Sequence, residues 1–366
     1  MLNEVLSNFG LNPSGYQIQA FGSGLINHTY KISGEKETYI LQEINSEVFK
    51  SPKDIAENMA SMQKYLNYLY PGYLFVGTLP SADFLFESDN GKYYRLFPFV
   101  KGSQTINFVN SKKEAFEAAR QFGRFTYLLR DFDLNSLNYT LTNFHDLPLR
   151  FDQFKLSARI ASKDRMEEAS SEIKQVYSHY DILETYKSIL INKEIPVRAI
   201  HHDTKISNVL FDDQENGLCV IDLDTVMPGY FWSDVGDMMR TYLSPANEEE
   251  TDLSKITIRE DVFRAVCKGY LSEMAEILTL NERKYFTFSG KLMIYMQAIR
   301  FLTDYLNNDI YYSSKYEGHN LNRAKNQFTL LNAYIIAEEK FKNKIGKSGY
   351  EYSNFNDDIL KLLMFA

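Results

Sequence analysis

One polar loop near the middle of the chain, set between two apolar runs, holds a dense group of chemically capable side chains. It carries His201, Asp203, Lys205 and Asn208, and a further apolar run after the loop ends at Asp222. Transfer of a phosphoryl group requires a carboxylate beside the acceptor hydroxyl and oxygen ligands that hold Mg²⁺ against the phosphates. The pattern His-x-Asp-x4-Asn, followed by a strand that ends in Asp, is typical of this chemistry.

Each of these polar side chains suits one part of a phosphoryl transfer. Asp203 suits the group that orients the acceptor hydroxyl and takes its proton. Asn208, across a tight loop, and Asp222, at the end of the next strand, suit the two protein ligands of Mg²⁺. Lys205 lies two residues after Asp203, within reach of the transferred phosphoryl group. We therefore expect a catalytic pair, Asp203 and Lys205, and a metal-binding pair, Asn208 and Asp222.

The composition is that of a globular protein of 366 residues, with 44% hydrophobic and 24% charged residues. This length predicts two folded units or one large two-lobed unit, with a core that needs no disulfides. The cysteines, Cys219 and Cys267, are only two, which favours a reducing compartment. The net charge of −8 disfavours nucleic acid as a partner.

The apolar runs are too short to cross a bilayer, as the run Leu360–Met364 illustrates. The first ten residues contain Glu4 and no basic segment, so the sequence does not predict a secretory signal. We expect a cytoplasmic protein that does not bind membranes and that is a monomer or a weak dimer.

The elements that must position the polar loop change in type near residue 100. Six short β-like runs with glycine punctuation predict strands before it: Tyr16–Phe21, Leu25–Ile32, Thr38–Ile44, Tyr73–Thr78, Leu85–Ser88 and Tyr93–Pro98. One helix interrupts them, because Ser51 and Pro52 form a helix start and the pattern continues to Leu69. After residue 100, helical spacing dominates. The sequence thus predicts an α+β protein with an N-terminal unit 1–99 and a second unit 100–366.

The central motifs resemble those of the protein-kinase-like superfamily, specifically its small-molecule branch of aminoglycoside, choline and sugar kinases. The likeness rests on His201-x-Asp203-x4-Asn208 followed by Asp222. A narrower likeness is to the N-acetylhexosamine 1-kinase group. The segments that carry it are Ile221–Gly229, Asp234–Arg240, Arg300–Leu306 and His319–Arg323.

This resemblance implies a two-lobed protein-kinase-like fold. A nucleotide would bind to an N-terminal antiparallel sheet lobe with one helix, and the acceptor to a larger, mainly helical lobe. It also implies ATP and Mg²⁺ as cofactors. The implied reaction phosphorylates the anomeric hydroxyl of N-acetylglucosamine or N-acetylgalactosamine to the 1-phosphate, with the sugar and ATP as the only partners.

A glycine turn near the N-terminus is a candidate phosphate contact. Glycines at 22 and 24 would let backbone N–H groups approach phosphates closely, although Gly-Ser-Gly also makes plain hairpin turns. The resemblance places the residues after the turn at the cleft, and adenine at the strand that enters the joint between the lobes. The expected nucleotide contacts are Gly22, Ser23, Gly24, Asn27, Thr29, Gln42, Phe97 and Phe99, and His28 is an expected acceptor contact.

Gln42 departs from the superfamily pattern, because most kinases have Lys or Arg at this place on the third strand. Glutamine donates hydrogen bonds but carries no charge. Two interpretations follow: Lys205, Mg²⁺ and loop amides carry the charge stabilisation, or the protein has lost ATP chemistry. The presence of Asp203, Asn208 and Asp222 together favours the first. Without a strand lysine to pair, Glu57 on the helix 51–69 is expected to be a solvated residue.

Acceptor-side candidates follow from the resemblance and from helical spacing. Arg300 and Asp304 share one helix face, either as an ordinary surface ion pair or with Arg300 on sugar hydroxyls. The expected acceptor contacts are His28, Asp224, Arg300, Asp304 and Tyr305. Asp237 is expected to cap a helix or to position the catalytic loop. His145, His179 and His319 lack metal-ligand spacing.

Two alternatives stay open. An amino-alcohol or aminoglycoside kinase on the same fold should show clustered carboxylates or an aromatic cage for its cationic acceptor. A non-catalytic, nucleotide-binding regulator is the alternative that Gln42 motivates.

Overall fold

The computed structural model describes residues 2–22, 26–79, 84–312 and 314–346, with side chains up to residue 339. The protein has the expected α+β architecture, with an N-terminal antiparallel sheet and a larger helical part. Each part has its own hydrophobic core. The smaller core lies under the sheet and includes Ile32, Leu41 and Leu96, whereas the larger one fills the helical part.

The N-terminal sheet has five strands in the order β1-β2-β3-β5-β4, each antiparallel to its neighbours. Their bounds are β1 Tyr16–Ala20, β2 His28–Gly34, β3 Thr38–Ile44, β4 Phe86–Glu87 and β5 Tyr93–Pro98. Helix α1, Leu2–Asn8, covers one end of the small core with Val5 and Leu6. The expected strand at Tyr73–Thr78 is wrong. That run passes through the large core without strand pairing, and only Leu79 N donates to Leu96 O, at 2.7 Å.

Helix α2, Pro52–Leu69, starts at a proline in the first turn, as the sequence predicts. Its Met59, Met62 and Leu66 pack into the large core rather than the small one. The helix therefore ties the sheet to the helical part. A division of the chain at residue 99 stays a prediction, since this helix from the first unit is packed in the core of the second.

The helical part contains ten helices within the described residues: α3 Lys112–Leu128, α4 Leu147–Ile160, α5 Lys163–Glu168, α6 Ser170–Ser178, α7 Tyr180–Ile191, α8 Trp232–Tyr242, α9 Glu260–Met274, α10 Leu280–Lys284, α11 Phe288–Leu306 and α12 His319–Gly346. Helices α3 and α9 approach closely because glycines face each other's backbone. A Cβ on Gly269 would lie 2.1 Å from Phe116 O, and one on Gly123 would lie 2.8 Å from Tyr270 O. None of these helices has the length and apolarity needed to cross a membrane.

Two small antiparallel ribbons lie between the helices and frame the polar loop. Strand β6, Arg198–Ile200, pairs with β9, Met227–Gly229, and β7, Val209–Phe211, pairs with β8, Gly217–Val220. The polar loop joins β6 to β7, and Asp222 lies two residues after the end of β8. Ile221 N donates to Asn208 O at 2.9 Å, so the end of β8 is fastened to the end of the loop.

Candidate active site

The structure brings Asp203, Lys205, Asn208 and Asp222 together, as phosphoryl-transfer chemistry would need. The Asn208 amide donates to the Asp203 carbonyl at 2.9 Å and to its carboxylate at 3.1 Å. The Lys205 ammonium lies 3.1 Å from the same carboxylate and is half-exposed toward the cleft. The pKa of Asp203 is lowered although burial opposes its ionisation, because Lys205 and His201 stabilise the carboxylate. Asp203 is thus ionised and able to accept a proton.

The loop is held by two buried carboxylates of helix α8. Asp234 accepts hydrogen bonds from His201 N at 3.2 Å and His202 N at 2.7 Å. Asp237 accepts one from Thr204 N at 3.0 Å. His202, at φ +67°, is in the left-handed region, so these bonds hold a backbone turn that is intrinsically disfavoured. Asp237 therefore contacts the loop that carries Asp203, one of the two roles that the sequence left open.

The metal-ligand candidates fit a Mg²⁺ ion. Because Asn208 uses its amide N–H group on Asp203, its amide oxygen faces away from that residue, and it has no partner among the described residues. Burial, together with the neighbouring Asp224 and Asp203 carboxylates, raises the pKa of Asp222 to about 7. A divalent cation would relieve this repulsion. The described residues contain no cluster of three metal-binding His, Cys, Asp or Glu side chains, so phosphate oxygens and water would complete the coordination.

The cation that the third strand lacks is on its neighbour, β5. Gln42 faces Arg95 in the sheet register, and its amide oxygen accepts from the Arg95 Nε at 3.1 Å and from a terminal nitrogen at 2.8 Å. The other terminal nitrogen of Arg95 lies 2.5 Å from the Asp224 carboxylate, and this ion pair is almost wholly buried. Sequence reasoning missed Arg95. The available signal was a charged residue in the otherwise apolar Tyr93–Pro98 run, because a buried charge requires a partner.

Asp224 connects the two parts of the molecule. Besides its ion pair with Arg95, its second carboxylate oxygen accepts from the Asn27 amide at 2.8 Å. Asn27 in turn accepts from Asn45 N at 3.0 Å. Both carboxylate oxygens of Asp224 therefore have partners in the N-terminal part. The acceptor contact expected of Asp224 and the nucleotide contact expected of Asn27 stay predictions.

The other sheet candidates have different surroundings. Thr29 accepts from the Gln42 amide at 3.2 Å, and His28 is exposed at the start of β2. The guanidinium carbon of Arg95 lies 5.0 Å from the Phe97 ring centroid, and the Lys31 ammonium lies 4.3 Å from the Phe99 ring centroid. Gly22 is in the left-handed region, and Ser23 and Gly24 lie outside the described residues. Glu57 accepts from Asn138 at the surface, at 3.0 Å.

Asp304 and Tyr305 on helix α11 make hydrogen bonds within the fold. Asp304 accepts from the backbone N–H groups of Tyr311 and Tyr312 at 2.7 and 2.9 Å, and so folds the following loop back onto the helix. Tyr305 is buried and donates to Glu168 at 2.5 Å. The Asp304 carboxylate thus binds backbone N–H groups and does not pair with Arg300. Both side chains satisfy their hydrogen bonds locally, as buried polar groups must, and their expected acceptor contacts stay predictions.

Arg300, in contrast, is half-buried among aromatic rings on the acceptor side. Its guanidinium carbon lies 5.5 Å from the Phe144 ring centroid, 5.4 Å from that of Tyr312 and 6.0 Å from that of Tyr311. One of its nitrogens donates to Gln297 at 3.2 Å. The remaining guanidinium N–H groups, together with the aromatic faces, are available to a ligand.

A second arginine, Arg150, completes a cationic acceptor side. It donates to two backbone carbonyls and to Gln153, and its buried Nε lacks a partner. Burial and the charge of Arg300 lower the pKa of Arg150. Within the described part of the chain neither Arg150 nor Arg300 forms an ion pair with a carboxylate. Arg240 differs, since Asp237 and Glu248 neutralise it at 3.0 and 2.8 Å.

Three solved structures with the same architecture are distant in sequence from this chain. An aminoglycoside phosphotransferase from Alicyclobacillus acidocaldarius superposes with a TM-score of 0.61 at 11% identity, over 96% of this chain and 94% of that one. A microcompartment-associated aminopropanol kinase superposes with a TM-score of 0.60 at 15% identity, over 92% of this chain and 97% of that one. A spectinomycin phosphotransferase in complex with ADP and spectinomycin superposes with a TM-score of 0.55 at 11% identity, over 88% of this chain and 93% of that one. At these identities the likeness establishes the fold.

The sequence also matches a family model, described as the phosphotransferase enzyme family, over residues 17–275. The match covers the sheet, the polar loop, Asp222 and helices α8 and α9, which is well over half of the chain. The structure thus supplies the kinase-like fold, and the match supplies the class of reaction, transfer of a phosphoryl group to a small-molecule hydroxyl. This chain belongs to the phosphotransferase enzyme family.

Proposed function

We propose that the protein is an ATP- and Mg²⁺-dependent kinase that phosphorylates the anomeric hydroxyl of an N-acetylhexosamine. Asp203 orients that hydroxyl and accepts its proton as the bond to phosphorus forms. Lys205 neutralises charge on the transferred phosphoryl group, and Asn208 and Asp222 hold the metal.

The observation that carries this proposal is the meeting of one ionised carboxylate, one ammonium and one amide within hydrogen-bond reach. Lys205 and Asn208 both contact the Asp203 carboxylate, at 3.1 Å each. This arrangement fixes the direction of the carboxylate before a substrate binds. Positioned groups of this kind contribute to catalysis because they need no reorganisation in the transition state.

The sheet supports nucleotide binding through Arg95 instead of a lysine on β3. The buried Arg95–Asp224 ion pair keeps a positive charge next to the Asp222–Asp224 segment, and the charge of Arg95 lowers the pKa of Asp222 against the stronger effect of burial. Gln42 is uncharged, but its amide oxygen orients the positively charged Arg95 side chain. This geometry favours an ATP-using enzyme over a non-catalytic regulator.

The acceptor side supports a neutral polyhydroxylated substrate. Arg150 and Arg300 are cations without carboxylate partners, so a protonated amine placed beside them would be repelled. Three aromatic rings around Arg300 offer apolar faces, and its free N–H groups offer directed hydrogen bonds to hydroxyl or acetamido oxygens. An aminoglycoside or an amino alcohol would need acidic groups around its amine, and beside Arg150 and Arg300 the described residues place cations instead.

A substrate panel tests the proposal. Release of ADP is measured with N-acetylglucosamine, N-acetylgalactosamine, ethanolamine, 1-amino-2-propanol, choline and kanamycin, and ³¹P NMR locates the phosphate on the product. We expect turnover of an acetamido sugar with an anomeric phosphate signal. Turnover confined to the amines would support the amino-alcohol alternative and refute the sugar assignment. The D203N variant serves as the background in every assay.

A further inference from the structure

A chain of three hydrogen-bonding side chains next to the catalytic loop takes no part in the functions described so far. The hydroxyl of Ser233, in the first turn of α8, contacts the Nδ1 atoms of both His202 and His145. The His202 contact is 2.8 Å, and the His145 contact is also within hydrogen-bond range. His202 and Ser233 are buried, whereas His145 is partly accessible.

A serine hydroxyl has only one hydrogen, so Ser233 cannot donate to both rings. At least one histidine must therefore carry its proton on Nδ1 and donate to the serine. If the serine donates to the other ring, the two neutral imidazoles hold opposite tautomers. Which ring plays which part depends on what surrounds the far nitrogen, Nε2, of each ring.

The surroundings of His202 settle the direction. Its Nε2 edge lies against strand β9, near the backbone carbonyls of Met227 and Pro228. The alignment falls short of a good hydrogen bond, but carbonyl oxygens can only attract a proton and never supply one. His202 accordingly carries its proton on Nε2 and accepts from Ser233 at Nδ1.

The positions of the protons on Ser233 and His145 follow from this step. With its hydrogen given to His202, Ser233 can only accept, so the Nδ1 of His145 carries a proton. The Nε2 of His145 is then a bare lone pair. This nitrogen makes no hydrogen bond with the described residues, and the His145 side chain is only half-buried. The opposite direction would leave the Nε2 lone pair of His202 buried against carbonyl oxygens.

Both rings are neutral, which makes the tautomers definite. Burial lowers the pKa of His202 to about 3. Burial, and then the neighbouring His202 ring and the positive charges of Arg300, Arg240 and Arg150, lower the pKa of His145 well below its usual value. The ring of His145 stacks on Phe144 with centroids 4.3 Å apart, and Arg300 lies 5.5 Å from the same Phe144 ring. His145 therefore shares the acceptor side with Arg300.

We propose that His145 Nε2 is a fixed hydrogen-bond acceptor of the acceptor site, set by the Ser233–His202 pair, and that it accepts a hydrogen bond from a substrate hydroxyl while Arg300 donates to a substrate oxygen. This proposal rests on the proposed function, since it concerns how that same site recognises a sugar. A hydroxyl can donate and accept at once, so the pair selects polyhydroxylated acceptors. His145 is a specificity residue in this scheme and takes no part in the proton transfer from the reacting hydroxyl to Asp203.

The tautomers are testable without any substrate. Long-range ¹H–¹⁵N NMR of the protein labelled at its six histidines separates an Nδ1–H ring from an Nε2–H ring, with H145Q and H202Q providing the assignments. We expect the Nδ1–H pattern for His145 and the Nε2–H pattern for His202. The reversed pattern, or a protonated His145 at pH 7, overturns the proposal even if the protein is a sugar kinase.

The hydrogen bond to the substrate is tested with N-acetylglucosamine and its 3-, 4- and 6-deoxy analogues. We expect H145F to raise the acceptor KM about tenfold with the parent sugar and to have no effect with one deoxy analogue, because one neutral hydrogen bond is lost. The KM for ATP should stay unchanged. An equal penalty with all three analogues, or no penalty with the parent sugar, refutes the contact.

Two further variants separate this role from a structural one. In S233A the His145 tautomer is released, so discrimination against that deoxy analogue should shrink while the fold, followed by circular dichroism, is kept. H179F is the matched control, because His179 is half-buried, as His145 is, and bonds to Asn332 away from this site. If no acetamido sugar is turned over at all, the proposed function fails, whereas the NMR result still decides the tautomers.

Discussion

The proposed nucleotide and acceptor sides differ in whether their cations are paired with carboxylates. On the proposed nucleotide side the two cations next to the site carboxylates have internal partners: Arg95 pairs with Asp224 and Lys205 with Asp203. On the acceptor side Arg150 and Arg300 have no carboxylate partner in the described residues, and His145 is neutral. Internal pairs preorganise groups for a charged nucleotide and its metal. Cations that lack a carboxylate partner and lie next to aromatic rings can instead donate hydrogen bonds to a ligand.

The first test of this contrast removes the negative charge of Asp203. D203N keeps the size of the side chain but cannot take the proton of the acceptor. We expect kcat to fall by about 10²–10⁴-fold, with the KM for ATP nearly unchanged. Steady-state kinetics and calorimetric titration with ADP measure the two quantities. Wild-type turnover by D203N would remove Asp203 from the mechanism and would revive the non-catalytic regulator.

The second test removes one partner of the buried pair on the nucleotide side. R95M leaves the Asp224 carboxylate uncompensated in a site that is 2% exposed, so we expect the free energy of unfolding to fall by about 3–5 kcal/mol. Urea denaturation measures it. The double variant R95M/D224N should recover part of the loss, since no lone charge is buried. A loss of similar size in the double variant would mean that packing, not charge pairing, dominates there.

The third test concerns Gln42, the apparent defect of the third strand. Q42L removes the oxygen that accepts two N–H groups of Arg95, and we expect a loss of about 1–3 kcal/mol in unfolding free energy together with a raised KM for ATP. Q42E restores an acceptor and serves as the control. Unchanged stability and KM in Q42L would separate Gln42 from the positioning of Arg95.

The smallest effect is expected on the acceptor side. R300M removes a cation that has no carboxylate partner, so stability should change by no more than about 0.5 kcal/mol. The acceptor KM should rise about tenfold, since directed hydrogen bonds to the ligand are lost. R300K tests whether charge alone is sufficient. Destabilisation as large as that of R95M would erase the proposed contrast between the two sides.

The polar loop was visible in the sequence because its members are close together along the chain. His201, Asp203 and Asn208 lie within eight residues, and Asp222 follows after one short ribbon. The helix at Pro52 and most strands were also predictable, from a local start signal and from short apolar runs. The run 73–78 shows the limit of such patterns, because an apolar run becomes a strand only if a neighbouring edge is available to pair with it.

Contacts between distant segments were not predictable. Arg95 and Asp224, or His145, Ser233 and His202, are far apart in sequence, and no local spacing links them. Asp304 and Tyr305 illustrate the converse, since helical spacing placed them near Arg300 but could not tell which way each side chain would turn. That choice was made by the 311–312 backbone and by Glu168, which offered buried hydrogen-bond partners.

The amino-acid sequence by itself determined the kinase-like order of elements and the identity of the carboxylates and the amide of the central loop, because short-range spacing and turn chemistry specify these features. Only the tertiary structure decided which cation stands in for the absent lysine, which acids face the cleft and which histidine nitrogen is bare. These outcomes depend on desolvation and on the few polar partners within reach in the folded state, and neither quantity exists until distant segments have packed.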